Sequence, residues 1–272
     1  MLIKLLKLEQ SITFACLITI CLLAWIYVFY GAGMGMSAWE MSNFSLMPHQ
    51  HAGMQMIMPE MGMNTTPWSF QHFLIVLIMW WVMMIGMMLP SASPVILLYE
   101  RVINHAQKNI LLKKVNTTAY FVAGYLLIWL LFSLLATLLQ WRLEQQNWLS
   151  MSLISNNRWL SGGLLITVGI YQLSPLKTTC LKFCRSPAEF IVGYMRKGRL
   201  GAFKMGLQHG WFCFGCCWGL MLLLFVGGIM NLFWIIALTV FVLIEKVLPN
   251  SQNAALFLGV IFVMWGLAIL FV

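Results

Sequence analysis

The chain has 272 residues, of which 61% are hydrophobic and only 8% charged, with a formal net charge of +9. So little polar surface cannot cover a core of that size, which excludes a soluble globule and predicts a polytopic membrane protein. The positive charge does not indicate a nucleic-acid partner, because it lies between apolar segments, where it sets topology and meets the anionic lipid bilayer, and no basic helix or nucleic-acid motif accompanies it.

In chain order, seven apolar segments are long enough to cross a hydrocarbon core of about 30 Å as helices. They are residues 11–30, 68–90, 119–140, 159–176, 206–228, 232–248 and 254–272. The expected fold class is therefore all-α: a single integral membrane domain over residues 1–272 with about seven transmembrane helices. Segments of this length exclude a closed barrel. Fourteen of the sixteen basic residues fall in the N-terminus and in alternate connections, against Arg142 and Arg158 on the other side. That asymmetry predicts a cytoplasmic N-terminus and an extracytoplasmic C-terminus. The first segment follows Lys4 and Lys7, but it is longer than a secretory core and lacks a clean small-x-small cleavage site. It reads as a retained helix, with processing near Gly31 to Gly35 as the alternative.

The connection over residues 31–67 is rich in Gly, Ser, Asn, Pro and Met, and is expected to be irregular and extracytoplasmic. Between Met34 and Met63 it carries nine methionines, His49 and His51, and no Lys or Arg. Thioethers are neutral, polarisable donors that favour copper(I) or silver(I), whereas a zinc site wants thiolates or more imidazole. Met-x-Met spacing at Met34 and Met36, at Met54, Met56 and Met58, and at Met61 and Met63 presents sulfurs side by side. Together with His49 and His51 these make the connection a candidate soft-metal trap. The competing reading is that methionine is flexible filler lying on the bilayer.

Within the second segment Met79, Met83 and Met87 are four apart, as are Met84 and Met88, which makes a thioether stripe down one side of a helix. Such a stripe can relay a soft cation or simply pack. In the fifth segment His209, Cys213 and Cys216 stand at i, i+4 and i+7 with Cys217 beside them, so an imidazole and two or three sulfurs share a face. That is a metal-ligand edge, weighed against the habit of buried cysteine to act as a small hydrophobe. Cys180 and Cys184, one helical turn apart just before the fifth segment, are candidate exit ligands. None of the seven cysteines falls in an outside loop, which argues against a structural disulfide framework. Glu245 with Lys246, and Glu100 with Arg101, read as self-neutralised interfacial pairs.

Three stretches, Met79 to Pro94, Tyr171 to Pro187 and Gly206 to Lys246, together resemble a family of uncharacterised bacterial integral membrane proteins predicted to bind metal. The resemblance covers most of the chain from the second segment onward, but not the methionine-rich connection. It implies an inner (plasma) membrane location and candidate ligands at Met84, Met87, Met88, His209, Cys213, Cys216 and Cys217.

The sequence thus predicts a protein that captures copper(I), or a similar soft ion, outside and relays or stores it at an intramembrane Met, His and Cys site. Metal transport and cuproprotein assembly both fit, with a metal chaperone or cuproenzyme as partner. No nucleotide-binding loop or hydrolytic constellation is present, so an enzyme is not expected. Two other readings stay open. One is a membrane thiol oxidoreductase using Cys213 and Cys216 as a Cys-x-x-Cys pair, and the other is a structural subunit whose methionines only pack.

Overall fold

The computed structural model describes residues 2–33, 37–40, 42, 68–106, 111–149, 153–155, 157–248 and 251–271. Its long helices are α1 (Leu2–Phe29), α2 (Phe70–Ala106), α3 (Leu111–Gln145), α7 (Gly198–Leu222) and α10 (Ser251–Phe271). Shorter ones are α4 (Arg158–Gln172), α5 (Pro175–Arg185), α6 (Pro187–Tyr194), α8 (Leu224–Gly227) and α9 (Leu232–Val247). Among the described residues no strand is found beyond an isolated bridge between Leu149 and Ser155.

A helix occupies each of the seven apolar segments, and five of them are long and apolar enough to cross a membrane: Ser11–Phe29, Phe70–Ile103, Thr117–Gln145, Gly198–Gly227 and Asn253–Phe271. The fourth and sixth segments form α4 and α9, of 15 and 16 residues. At 1.5 Å per residue these are roughly 23 and 24 Å long, less than the hydrocarbon thickness.

Local chemistry explains where the shorter helices start. Asn157 caps α4 by accepting from the backbone N–H of Trp159 and Leu160, and Asn231 caps α9 in the same way through Phe233 and Trp234. Ser174 caps α5 ahead of Pro175, and Pro187 opens α6, each proline standing where a missing N–H costs nothing. Pro90 and Pro94 sit inside α2, which continues through both. Pro94 cannot donate to the carbonyl of Pro90, and the Ser93 hydroxyl does so instead at 2.8 Å.

The most extensive pairings are α3 with α7, α4 with α10, and α1 with α2. Glycine brings the first two pairs to backbone contact. A Cβ at Gly206 would overlap the carbonyl oxygen of Phe121, and one at Gly124 that of Phe203. Gly169 and Gly259 do the same for α4 and α10, where a Cβ on Gly169 would stand 2.7 Å from the carbonyl oxygen of Gly259. Without a hydrophobic force between helices in lipid, such close approach is what makes packing favourable. At one end of the bundle residue Ser42 is buried and its hydroxyl accepts the backbone N–H of Leu232 at 2.7 Å, so the segment after α1 reaches the start of α9.

The Glu100–Arg101 expectation needs correction. Glu100 is buried and accepts from the Thr13 hydroxyl of α1 at 2.8 Å, because α1 packs along α2 and covers it.

Gly206→Ala should separate α3 from α7 and destabilise the fold by about 1–3 kcal/mol, the usual cost of overpacking. A lowered melting temperature in detergent, followed by size-exclusion chromatography, checks this; an unchanged melting temperature would mean that the helices do not touch there.

Candidate functional site

The α3–α7 contact fixes what lies beside Cys213. Tyr125 follows Gly124, and its hydroxyl is 3.2 Å from the Cys213 sulfur and donates to the carbonyl of Met88 at 3.1 Å. The turn of α2 carrying Met88 and the turn of α7 carrying Cys213 are thus adjacent. From α9, the Lys246 Nζ donates to the Cys213 sulfur at 3.0 Å and to the Ser91 hydroxyl at 2.9 Å.

Around Cys213 the other thiols gather. Cys216 stands 3.1 Å from Cys217 and 3.9 Å from Cys184, sulfur to sulfur, and its thiol donates to the carbonyl of Cys213 at 3.1 Å. Cys184, Cys213, Cys216 and Cys217 are all buried, and all seven cysteines of the chain are free thiols. Among the described residues no group of three or more His, Cys, Asp or Glu side chains stands in the arrangement of a formed metal cage. The thiols bond to one another, to Lys246 and to Tyr125. Soft sulfur donors buried in this way are of the kind that suits copper(I).

The other predicted residues take separate places. Cys180 lies at the edge of the cluster, close enough to α7 that a Cβ at Gly215 would meet its sulfur at 2.8 Å. It is only partly covered, and burial pushes its thiol above the ordinary range. His209 is buried one turn before Cys213, its ring among those of Phe190 at 5.0 Å, Tyr125 at 5.8 Å and Phe121 at 6.2 Å, and its Nδ1 has no hydrogen-bond partner among the described residues. Met84, Met87 and Met88 are buried. Met83 and Met87 border a crevice too narrow for a water molecule, together with Ala24, Trp25 and Val28 of α1 and Ile235 of α9. Met84 and Met88 lie on the side of α2 between Trp80 and Trp81, whose indole N–H groups donate to Gln140 and to the Leu126 carbonyl of α3. His49, His51, Met54, Met56, Met58, Met61 and Met63 lie outside the described residues.

A family model described as PpoB2, copper chaperone, matches residues 77–269, well over half of the chain. The chain belongs to the PpoB2 copper-chaperone family. A copper-related function follows in general terms, and every thiol of the cluster lies inside the matched span. No curated protein and no solved structure matches.

Two contacts of this PpoB2-family site correct the sequence reading. Glu245 and Lys246 do not neutralise each other at the interface. Both are buried, because successive residues of a helix point about 100° apart and α9 packs against different neighbours on those two sides. Glu245 pairs with Lys177 of α5, whose ammonium also donates to Gln172, while Lys246 turns to Cys213. Lys177 and Tyr125 were missed as site residues. For Lys177 the signal was a cation three residues before Cys180 in a segment that had to pack somewhere; for Tyr125 there was none.

Replacing Lys177 by Met leaves Glu245 buried without its cation and should cost about 3–5 kcal/mol. A stability measurement should also show partial recovery when Glu245 is replaced by Gln in the same chain. A second expectation concerns reactivity: of the five cysteines from Cys180 onward, Cys180 should be alkylated first in the folded protein, by roughly tenfold or more. Its rate should keep climbing with pH through and beyond the ordinary thiol range, because the reactive thiolate forms late. Mass spectrometry of partly modified protein gives the order.

Proposed function

We propose that the protein is a seven-helix inner-membrane carrier of copper(I). It takes the ion from the methionine- and histidine-rich segment over residues 31–67 and holds it on Cys184, Cys213, Cys216 and Cys217. Cys180 is the ligand through which cargo leaves for an acceptor protein. In this reading the N-terminus is cytoplasmic and the C-terminus outside, an orientation that the distribution of Lys and Arg supports. Copper is cargo here, delivered to a cuproprotein or moved across the membrane.

The observation that carries the reading is the meeting of four buried thiols from α5 and α7 in a member of a copper-chaperone family. Copper(I) accepts two or three sulfur ligands, and its thiolates bind only after losing their protons. Lys246 beside Cys213 offers a cation to offset part of the negative charge of a copper thiolate in a medium where an uncompensated charge is costly.

One observation favours a second reading. Cys184 and Cys216 lie within 3.9 Å, and a lysine contacts the neighbouring Cys213, an arrangement that also suits thiol–disulfide exchange.

Detergent-purified protein loaded anaerobically with copper(I) should retain about one or more ions per chain, and the His209→Ala, Cys213→Ser, Cys216→Ser variant should lose them. Metal content by mass spectrometry decides. If wild type and variant are equally empty, and metal-free protein exchanges thiols in a way that Cys216→Ser abolishes, the redox reading replaces this one.

A further inference from the structure

The methionine-rich connection precedes α2 in the sequence, and the thiol cluster lies beside the middle of that helix, next to Met88. Trp68, two residues before α2, follows that segment, and Met88 is twenty residues further on, about 30 Å along a helix. Cargo captured by the segment therefore needs a route of membrane length to reach the thiols.

Helix α3 supplies an unusual wall for one. Tyr125, Ser133, Thr137 and Gln140 are spaced three to eight residues apart and are all 0% exposed, a polar stripe in the middle of an apolar span. Both of its ends are tied to α2. At the inner end the Tyr125 hydroxyl meets the Met88 carbonyl, and at the outer end Gln140 Oε1 accepts from Trp80 Nε1 at 2.8 Å. The stripe continues outward to Glu144, which accepts from Gln140 Nε2 at 2.8 Å and from Trp68 Nε1 at 2.9 Å. His72 packs its ring edge-on to Trp68 at 4.9 Å. On the α2 side, Met84 and Met88 lie between the directions of Trp80 and Trp81, both of which bond to α3, so the seam has thioethers on one wall and neutral oxygens on the other.

Polar side chains buried within a span are costly to place there, and ionisable ones commonly mark ion pathways. The Ser133 and Thr137 hydroxyls each donate to a carbonyl of their own helix at 2.8 Å, which leaves oxygen lone pairs as acceptors. A soft monovalent cation in such a seam exchanges hydration for sulfur and oxygen donors that add no charge. Glu144, the one carboxylate among these residues, stands beside Trp68, so it attracts cations to the mouth and repels anions.

We propose that the α2–α3 seam is the path by which the cation reaches the thiol cluster, with Glu144 at its mouth and Met84 and Met88 as transfer ligands along it. This rests on the thiol cluster being the cargo site. It adds Glu144, Gln140 and Trp68 to the functional residues.

The test uses full-length protein reconstituted in vesicles, with orientation read from maleimide labelling of Cys180. Copper(I), as its acetonitrile complex, is offered anaerobically on the Trp68 side, and filling is followed by protection of Cys213 and Cys216 from alkylation. The Met84→Leu, Met88→Leu variant keeps volume and shape, and should fill at least tenfold more slowly; Glu144→Gln should also slow filling. Both should reach wild-type copper content when loaded in detergent, where the thiols are approached from either end. Filling of both variants at the wild-type rate from the Trp68 side overturns the path and leaves the thiol site standing. Wild-type protein that takes up no copper in detergent overturns the thiol site itself, and the path with it.

Discussion

The backbone contact between α3 and α7 at Gly124 and Gly206 is the constraint on which the site depends. It leaves no room for side chains at the crossing, so the helices lock at one depth and one rotation. Tyr125, next to Gly124, is then held over Cys213, two turns beyond Gly206, and both Tyr125 and Gln140 of α3 bond to α2. Had the helices been separated by a layer of leucines, the Tyr125 hydroxyl would no longer reach Cys213.

Around that crossing, charge is handled by pairing at a distance in sequence. Lys177 and Glu245 join α5 to α9, and Lys246 reaches from α9 to Cys213 on α7 and Ser91 on α2. Buried ions are a weak source of stability but a strong source of register, since each alternative packing leaves a charge uncompensated. The short helix α5, which carries Cys180 and Cys184, is held by one such pair, and this places Cys184 within 3.9 Å of Cys216.

Much of the architecture was readable from hydropathy, because a hydrocarbon solvent tolerates few solutions: long apolar runs must be helices, and helices stand at all seven segments. Length was less readable. The fourth run, expected over 159–176, is cut at Gln172 because Ser174 and Pro175 start α5, and the sixth ends at Val247, which leaves helices of 15 and 16 residues. At the site, the i, i+4, i+7 spacing showed that His209, Cys213 and Cys216 share a helix face, but helical spacing says nothing about what lies opposite that face. The imidazole proved to sit among aromatic rings, and the methionine stripe divided, Met83 and Met87 turning to α1 and α9 while Met84 and Met88 lie between the directions of Trp80 and Trp81.

By itself the sequence determined the solvent and the donor chemistry: an apolar composition that demands lipid, and sulfur ligands soft enough for copper(I). Only the tertiary structure decided which sulfurs meet, which charge answers which, and where a polar seam runs. The reason is range. Composition and periodicity act within a segment, whereas Cys184 to Cys216, Lys177 to Glu245 and Trp68 to Glu144 are contacts between residues 32, 68 and 76 positions apart, chosen by how helices cross.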